Sequence, residues 1–259
     1  MRKILISFFF FALIPTLAFS QQSEPEEEKP GNEIHPQPAE YIVDVLLPHL
    51  WEGTKASFSV QTIPYWALAG FAAGLASTQD QKVRDYWRDH DPIGDWKVIG
   101  NTWGEGYTQA GLAIGFLGLG WIANNQKLAS TGEVLMEAEI INGLVTTGMK
   151  YVVGRERPDE SGNDSFPSGH TSDSFAFAAV VADRYGYKLG IPAYTLAILT
   201  GLSRMESNKH WLSDVLMGAG LGMIIGHSVS KNHDDYPYEK RWHRTDKKLI
   251  EKVQLVPIV

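Results

Sequence analysis

The sequence of 259 residues contains no cysteine. This absence excludes disulfide bonds, zinc–thiolate sites, a cysteine nucleophile and a lipid-modified N-terminal cysteine. Basic residues are also few, since 23 Lys and Arg stand against 30 Asp and Glu and give a formal net charge of −7. The chain therefore lacks the basic excess that follows a nucleic-acid backbone, and we expect no nucleic-acid partner. Any chemistry must come from histidine, serine and charged side chains.

The first 20 residues have the three parts of a secretory signal peptide. Arg2 and Lys3 supply positive charge, residues 4–19 are predominantly apolar, and Ala18 and Ser20 are the small residues of a cleavage site. An uncleaved membrane anchor is the alternative, although 16 residues are fewer than the roughly 20 that span a bilayer. The sequence therefore predicts an exported protein, located in the periplasm of a two-membrane bacterium.

Three further segments divide the rest of the chain. Residues 21–39 are rich in Glu and Pro and cannot bury enough apolar surface to order themselves, so they are predicted to be a linker. Residues 40–230 are predicted to form the folded domain. Residues 231–259 are predicted to be a charged C-terminal tail.

The predicted domain has a helical pattern, with small and apolar residues recurring at positions i, i+3 and i+4. Few stretches alternate as strands do. The pattern predicts an all-α bundle of about six main helices, joined by glycine-containing and charged loops. The predicted helices cover residues 63–79, 107–125, 131–152, 171–185, 192–203 and 210–230.

The relation of this bundle to a membrane stays open at the level of sequence. Residues 56–79 and 106–126 contain no Asp, Glu, Lys or Arg and are long enough to span a bilayer. Glu137, Glu139 and Asp173 interrupt other predicted helices, and the mean hydropathy of −0.17 is low for six spans. Close-packed helices of a water-soluble core are the alternative. We favour a periplasmic protein that contacts a membrane.

The first of three candidate motifs is the run KYVVGRERP, from Lys150 to Pro158. Gly154 is expected to end a helix, so that Arg157 folds back toward Lys150. The alternative is an ordinary helix C-terminus, which favours cations. The motif predicts a cluster of two or three cations, with Arg155 as a further member.

The second motif is Pro167, Ser168, Gly169 and His170, directly before a helical pattern. The backbone N–H groups at a helix start are free to bind an anion, and Gly169 permits its close approach. A capped helix start with an exposed histidine is the alternative. The motif predicts an anion site that carries a histidine.

The third motif, SRMESNKHWLSD, runs from Ser203 to Asp214 and contains Arg204 and His210. If a helix begins near residue 208, His210 and Asp214 lie one turn apart on the same face. Asp214 then accepts the Nδ1 proton of His210, which leaves Nε2 as a nucleophile or base. A surface ion pair is the alternative.

Taken together, the motifs resemble those of the type 2 phosphatidic acid phosphatase (PAP2) superfamily, which also contains bacterial class A acid phosphatases and vanadium haloperoxidases. The resemblance implies metal-free phosphoryl transfer through a phosphohistidine intermediate. It implies that His210 is the nucleophile, that Asp214 orients it, and that His170 protonates the leaving group and then activates water. The phosphate-binding residues implied are Lys150, Arg157, Ser168, Gly169 and Arg204.

The substrate class is less closely specified by these motifs. The run HWLSDVLMGAGLG at residues 210–222 resembles the lipid phosphatase branch, which implies a lipid phosphate as substrate. A soluble phosphomonoester is the second possibility, and a haloperoxidase with vanadate on His210 is the third. No cofactor and no metal site are predicted, because the nearest carboxylate–histidine group, at residues 89–91, is expected to be a polar loop.

Overall fold

A computed structural model describes residues 46–233. The predicted signal peptide (1–20), the linker (21–39) and all but the first three residues of the predicted tail (231–259) lie outside the described residues. Within residues 46–233 the chain forms nine α-helices and no strand, which confirms the all-α fold. The helices are α1 (Leu47–Ser57), α2 (Ile63–Ser77), α3 (Asp80–His90), α4 (Trp96–Trp103), α5 (Gly106–Ile122), α6 (Gln126–Val153), α7 (Gly169–Tyr185), α8 (Tyr187–Glu206) and α9 (Leu212–Asn232), with a short 3₁₀ helix (Val60–Thr62) before α2.

The six predicted main helices correspond to α2 and to α5 through α9. α6 starts after Asn125, whose side chain accepts a hydrogen bond of 3.0 Å from the Leu128 N–H. It ends at Gly154, which adopts the left-handed conformation with φ of 57°, as predicted. α8 starts earlier than predicted, because Gly186 has a φ of 74° and turns the chain directly from α7 into α8. Pro192 consequently lies inside α8 and not at its start.

Three helices, α1, α3 and α4, were not predicted from the sequence. α3 is largely polar and α4 is only eight residues long, so neither forms a long, predominantly apolar helical segment of the kind that the sequence pattern reveals. Residues 89–91 were predicted to form a polar loop. This prediction is wrong for residues 89 and 90, which are the last two residues of α3. His90 Nδ1 lies 2.9 Å from the Tyr86 carbonyl oxygen one turn earlier, and Asp91 caps the helix with a φ of 43°.

Most of the buried core residues lie on α6, α7 and α9, and the backbones of α7 and α9 approach each other very closely. A Cβ atom added to Gly222 on α9 would lie 2.1 Å from the Ser172 carbonyl oxygen on α7. Glycine therefore lets the two backbones touch, which no larger residue would permit without displacement. The buried apolar side chains around this contact include Val134, Leu135, Phe177, Val180, Leu221 and Ile225.

The two uncharged segments of the sequence do not form single long helices. Residues 56–79 are divided among the end of α1, the 3₁₀ helix and α2, and residues 106–126 extend past the end of α5. α2 and α5 have 15 and 17 residues, fewer than the roughly 20 of a perpendicular bilayer span. Among the described helices, α9 alone has the length and composition to cross a membrane, and 61% of its apolar window is buried inside the protein.

Candidate active site

The three sequence motifs meet at one end of the bundle, where α6 and α8 end and α7 and α9 begin. Lys150 lies in the last turn of α6 and His170 in the first turn of α7. Arg204 lies in the last turn of α8 and Asp214 in the first turn of α9. His210 lies in the loop between α8 and α9. A hydrogen bond of 3.0 Å from the Ser168 N–H to the Asp214 carbonyl oxygen joins the starts of α7 and α9.

His210 is buried, and its ring is held in one tautomer. Its Nδ1 lies 2.7 Å from the Ser165 carbonyl oxygen, which can only accept a hydrogen bond. Nδ1 must therefore carry the proton, and the lone pair lies on Nε2. The predicted partner, Asp214, is farther away, with its Oδ2 atom 3.7 Å from Nδ1. The tautomer is therefore the predicted one, but the Ser165 carbonyl oxygen selects it in place of the Asp214 carboxylate.

Asp214 is occupied by other donors because α9 starts later than predicted. The helix begins at Leu212, so Asp214 is its third residue, and Oδ2 accepts the Trp211 N–H at 2.8 Å. The Ser165 hydroxyl donates to the same oxygen at 2.5 Å. Although burial opposes ionisation, His210 and the hydrogen bonds from Ser165 and Trp211 lower the pKa of Asp214. Its carboxylate thus fixes the loop that holds His210 and places negative charge near the imidazole.

Burial lowers the pKa of His210 to about 4, with a further contribution from Lys150 and against the attraction of Asp214. The ring is therefore neutral at pH 7. A neutral imidazole with an unprotonated Nε2 is the form that can attack an electrophile. The electrostatic environment and the hydrogen bond to Ser165 thus favour the same reactive state.

A second layer of charged residues supports Asp214. Arg155 donates to Asp214 Oδ1 and to Asp80 Oδ2, each at 2.7 Å. Asp80, at the start of α3, also accepts the Ser213 N–H at 2.9 Å and the Ser213 hydroxyl at 2.6 Å. Arg155 therefore acts through Asp214 and does not reach substrate as a free cation. Asp80 was missed, because it lies far from the motifs in sequence and begins an unpredicted helix.

His170 has an acidic partner that the sequence analysis also missed. Its Nε2 lies 3.3 Å from Oε1 of Glu105, which precedes α5. Burial and the positive charge of Arg204 lower the pKa of His170, while Glu105 raises it. His170 is more accessible than His210, since 28% of its side chain is exposed. This position suits a group that exchanges protons with substrate and water.

The three predicted phosphate-binding cations act on one another electrostatically, as groups of a single site do. Burial lowers the pKa of Lys150, and the charges of Arg157 and Arg204 lower it further, against the attraction of nearby carboxylates. Arg157 forms two hydrogen bonds to the Asp164 carboxylate, at 2.7 and 2.8 Å, and Lys150 donates to the Asp164 carbonyl oxygen. Arg204 donates to Asn101 at 2.9 Å, and no described residue accepts from its buried Nε. That nitrogen is a donor available to an anion.

Ser168 and Gly169 stand at the start of α7, as the second motif predicts, but the Ser168 hydroxyl is already engaged. It lies 2.9 Å from the Thr171 hydroxyl, and the residue is fully buried. A Cβ added to Gly169 would lie 3.9 Å from Lys150 Cε, so this lysine runs beside the helix start. The free N–H groups of this first turn and the lysine can approach the same anion.

A comparison with known families agrees with this geometry. Residues 134–236 match the family model described as PAP2 superfamily. These residues are therefore similar to the PAP2 superfamily. The matched range contains all eight predicted site residues, from Lys150 to Asp214. Asp80, Asn101 and Glu105 lie before the matched range, so the helices in front of that range also contribute to the candidate site.

Proteins similar to this chain are PAP2 enzymes and lipid A phosphatases. The lipid A 1-phosphatase of Porphyromonas gingivalis is 43% identical over 90 residues, which are 34% of this chain and 20% of that protein. The lipid A 4'-phosphatase of Helicobacter pylori is 38% identical over 76 residues, or 29% of this chain and 36% of that protein. The chain thus matches well under two thirds of the length of either relative.

The fold of this chain also resembles that of a solved structure. The transmembrane PAP2 type phosphatidylglycerolphosphate phosphatase from Bacillus subtilis aligns with a TM-score of 0.55 and 19% sequence identity. The alignment covers 70% of this chain and 95% of that one. The similarity in helical arrangement therefore extends well beyond residues 134–236.

Proposed function

We propose that this chain is a phosphatase that hydrolyses a phosphomonoester or pyrophosphate, without a metal ion, on a lipid substrate. The state of His210 supports this most directly, because the ring is neutral and its lone pair lies on Nε2. Lys150, Arg157 and Arg204 supply the positive charge that a phosphate dianion needs as its reaction proceeds. The same three cations repel a divalent metal ion from this position.

The proposed reaction has two steps. In the first, the Nε2 lone pair of His210 forms a bond to phosphorus while the bond from phosphorus to the leaving oxygen breaks, and His170 donates a proton to that oxygen. In the second, His170 takes a proton from water, the water oxygen bonds to phosphorus, and the N–P bond breaks to restore His210. Asp214, 3.7 Å from Nδ1, stabilises the positive charge that the ring carries between the steps.

Exposed apolar helix faces support a lipid substrate over a soluble one. Glu105, which contacts His170, directly precedes α5, so the outer face of α5 begins beside the site. An exposed apolar surface of this extent marks contact with a membrane or another apolar partner. The apolar side chains that are more than half exposed include Tyr65, Leu68, Phe71 and Leu75 on α2, and Tyr107, Ile114, Leu119 and Ile122 on α5. The two lipid A phosphatases that match the chain act on a phosphorylated lipid according to their names.

The test compares two substrates on the purified full chain in detergent with EDTA: phosphatidic acid in micelles and p-nitrophenyl phosphate. We expect phosphate release from both, with the higher kcat/KM on the lipid. His210→Ala should reduce kcat/KM by about 10³-fold or more, because no other group supplies the nucleophile. His227→Ala is the matched control, since His227 also pairs with a carboxylate, Asp183, but lies away from the site on α9.

Three outcomes would contradict the proposal. Activity that requires an added divalent metal would refute the metal-free mechanism. Full activity in His210→Ala would remove His210 as nucleophile. Equal or higher kcat/KM on p-nitrophenyl phosphate would replace the lipid substrate with a soluble phosphomonoester.

A further inference from the structure

A second histidine–carboxylate cluster lies on other parts of the same bundle. It consists of His49 on α1, Glu137 on α6 and His233 directly after α9. His49 Nδ1 lies 2.9 Å from Glu137 Oε1, and His233 Nδ1 lies 3.1 Å from Glu137 Oε2. One ligand atom from each residue lies within 4.8 Å of the other two. The cluster thus joins three segments that are far apart in sequence.

This cluster is separate from the phosphatase site. Glu137 precedes Lys150 by 13 residues on the continuous helix α6, which at about 1.5 Å per residue places them roughly 20 Å apart along the axis. His233 lies at the opposite end of α9 from Asp214. No step of the proposed phosphatase reaction uses any residue of the cluster.

Two imidazoles and one carboxylate are a ligand set that zinc binds in proteins. Zinc lies about 2.0 to 2.2 Å from such nitrogen and oxygen atoms, so ligand atoms around a tetrahedral ion are about 3.4 Å apart. The contacts of 2.9 and 3.1 Å in the structure need only small movements to admit the ion. Three protein ligands leave one tetrahedral position for a water molecule.

The surroundings of His233 also fit a metal-binding histidine. Its second ring nitrogen, Nε2, lies 3.6 Å from Oε2 of Glu133, one helical turn before Glu137. Metal-ligating histidines commonly direct their other nitrogen to a carboxylate, which fixes the ring and raises its basicity. Glu133 and Glu137 are both buried.

We infer that His49, Glu137 and His233 form a zinc site that fastens α1 to α6 and to the end of α9, with Glu133 orienting His233. A ligand that binds only the folded state stabilises that state, so zinc raises the thermal stability of the protein. The cluster leaves no local pattern in the sequence, because its members stand at residues 49, 137 and 233 and become neighbours only in the folded chain.

The test measures zinc binding to the purified full chain after treatment with EDTA and removal of the chelator, in the absence of substrate. Zn²⁺ is added in competition with a chromogenic chelator, and metal content and melting temperature are recorded. We expect one zinc per chain and a melting temperature several degrees higher with zinc. Glu137→Gln and His49→Gln should each weaken zinc binding by 100-fold or more and abolish the shift.

Two control variants make the result specific. His227→Ala removes another histidine from α9, one that pairs with a single carboxylate at 2.8 Å, and should bind zinc as the wild type does. His210→Ala removes the proposed nucleophile and should also retain the zinc, which separates this site from the phosphatase site. The inference is overturned if the wild type binds no zinc, if both cluster variants bind it as tightly as the wild type, or if His210→Ala loses it. The two cluster variants lie on different helices, so a folding failure of one leaves the other to decide.

Discussion

Glu105→Gln should shift the pH profile of the phosphatase, because Glu105 raises the pKa of the proposed general acid. In the free enzyme, kcat/KM requires His210 without its proton and His170 with its proton. The pKa of His210 is about 4, and burial holds the pKa of His170 below the ordinary value of 6.5. The optimum of kcat/KM therefore lies on the acid side of pH 6.5, and its alkaline limb reports the loss of the His170 proton.

The size of the shift follows from the distance between the two groups. His170 Nε2 and Glu105 Oε1 are 3.3 Å apart, and 28% and 37% of their side chains are exposed. Coulomb's law with the dielectric constant of water gives about 1.3 kcal/mol at this distance, or roughly one pKa unit. Partly exposed ion pairs have interaction free energies of about this size or somewhat less. Removing the charge of Glu105 should move the alkaline limb to lower pH by about 0.5 to 1 unit.

The assay is kcat/KM on one substrate from pH 3.5 to 9, for the wild type and Glu105→Gln. Since both enzymes meet the same substrate, its own ionisation does not contribute to the difference. Glu52→Gln makes the same change in net charge on α1, where Glu52 pairs with Lys55, and should leave the profile unchanged. An alkaline limb that stays in place or moves to higher pH in Glu105→Gln would refute His170 as the general acid that Glu105 assists.

Two further substitutions test how the site is built. Asp164→Asn removes the carboxylate that accepts two hydrogen bonds from Arg157, so Arg157 becomes free to bind phosphate. Because an exposed ion pair is weak, we expect KM to fall by about 2- to 5-fold with little change in kcat. A rise in KM would contradict this expectation. Gly218→Ala places a Cβ atom 2.6 Å from the Ser168 carbonyl oxygen, so we expect a loss of about 1–3 kcal/mol in unfolding free energy together with a lower kcat. Gly115→Ala, which has no neighbour within 4 Å of the added atom, is the control, and equal melting temperatures for the two variants would refute the close contact.

The fold class followed from the sequence because several long helices contain many apolar and small residues. α6, α7 and α9 bury apolar side chains along their length, and this produces the helical spacing that the sequence analysis detected. α3 and α4 were not detectable in this way, because short or polar helices form mainly through their tertiary contacts. Arg84 on α3, for example, donates to the Pro158 carbonyl oxygen at 2.6 Å and to Asn208 at 3.2 Å.

The candidate site was predictable to the extent that its residues lie within short motifs. Local spacing identified His170 and His210, but it misassigned the acceptor of the His210 proton. The true acceptor is the carbonyl oxygen of Ser165, and sequence patterns do not reveal which backbone oxygen a folded loop presents. Asp80 and Glu105 were missed for a related reason, since each reaches the site from a helix start more than 60 residues away from its partner.

Charge balance explains why Asp164 and Glu105 stand beside cationic groups in this site. Three cations at one end of a bundle repel one another, and their charges add to the effect of burial, which is the largest cause of the lowered pKa values of Lys150 and His170. In the proposed mechanism, a phosphate dianion brings the compensating charge directly to these groups. Its arrival replaces Asp164 as the partner of Arg157 and raises the pKa of His170, so that the general acid gains its proton when substrate is present. His210 stays neutral because burial is the largest cause of its low pKa, and burial does not depend on the substrate's charge.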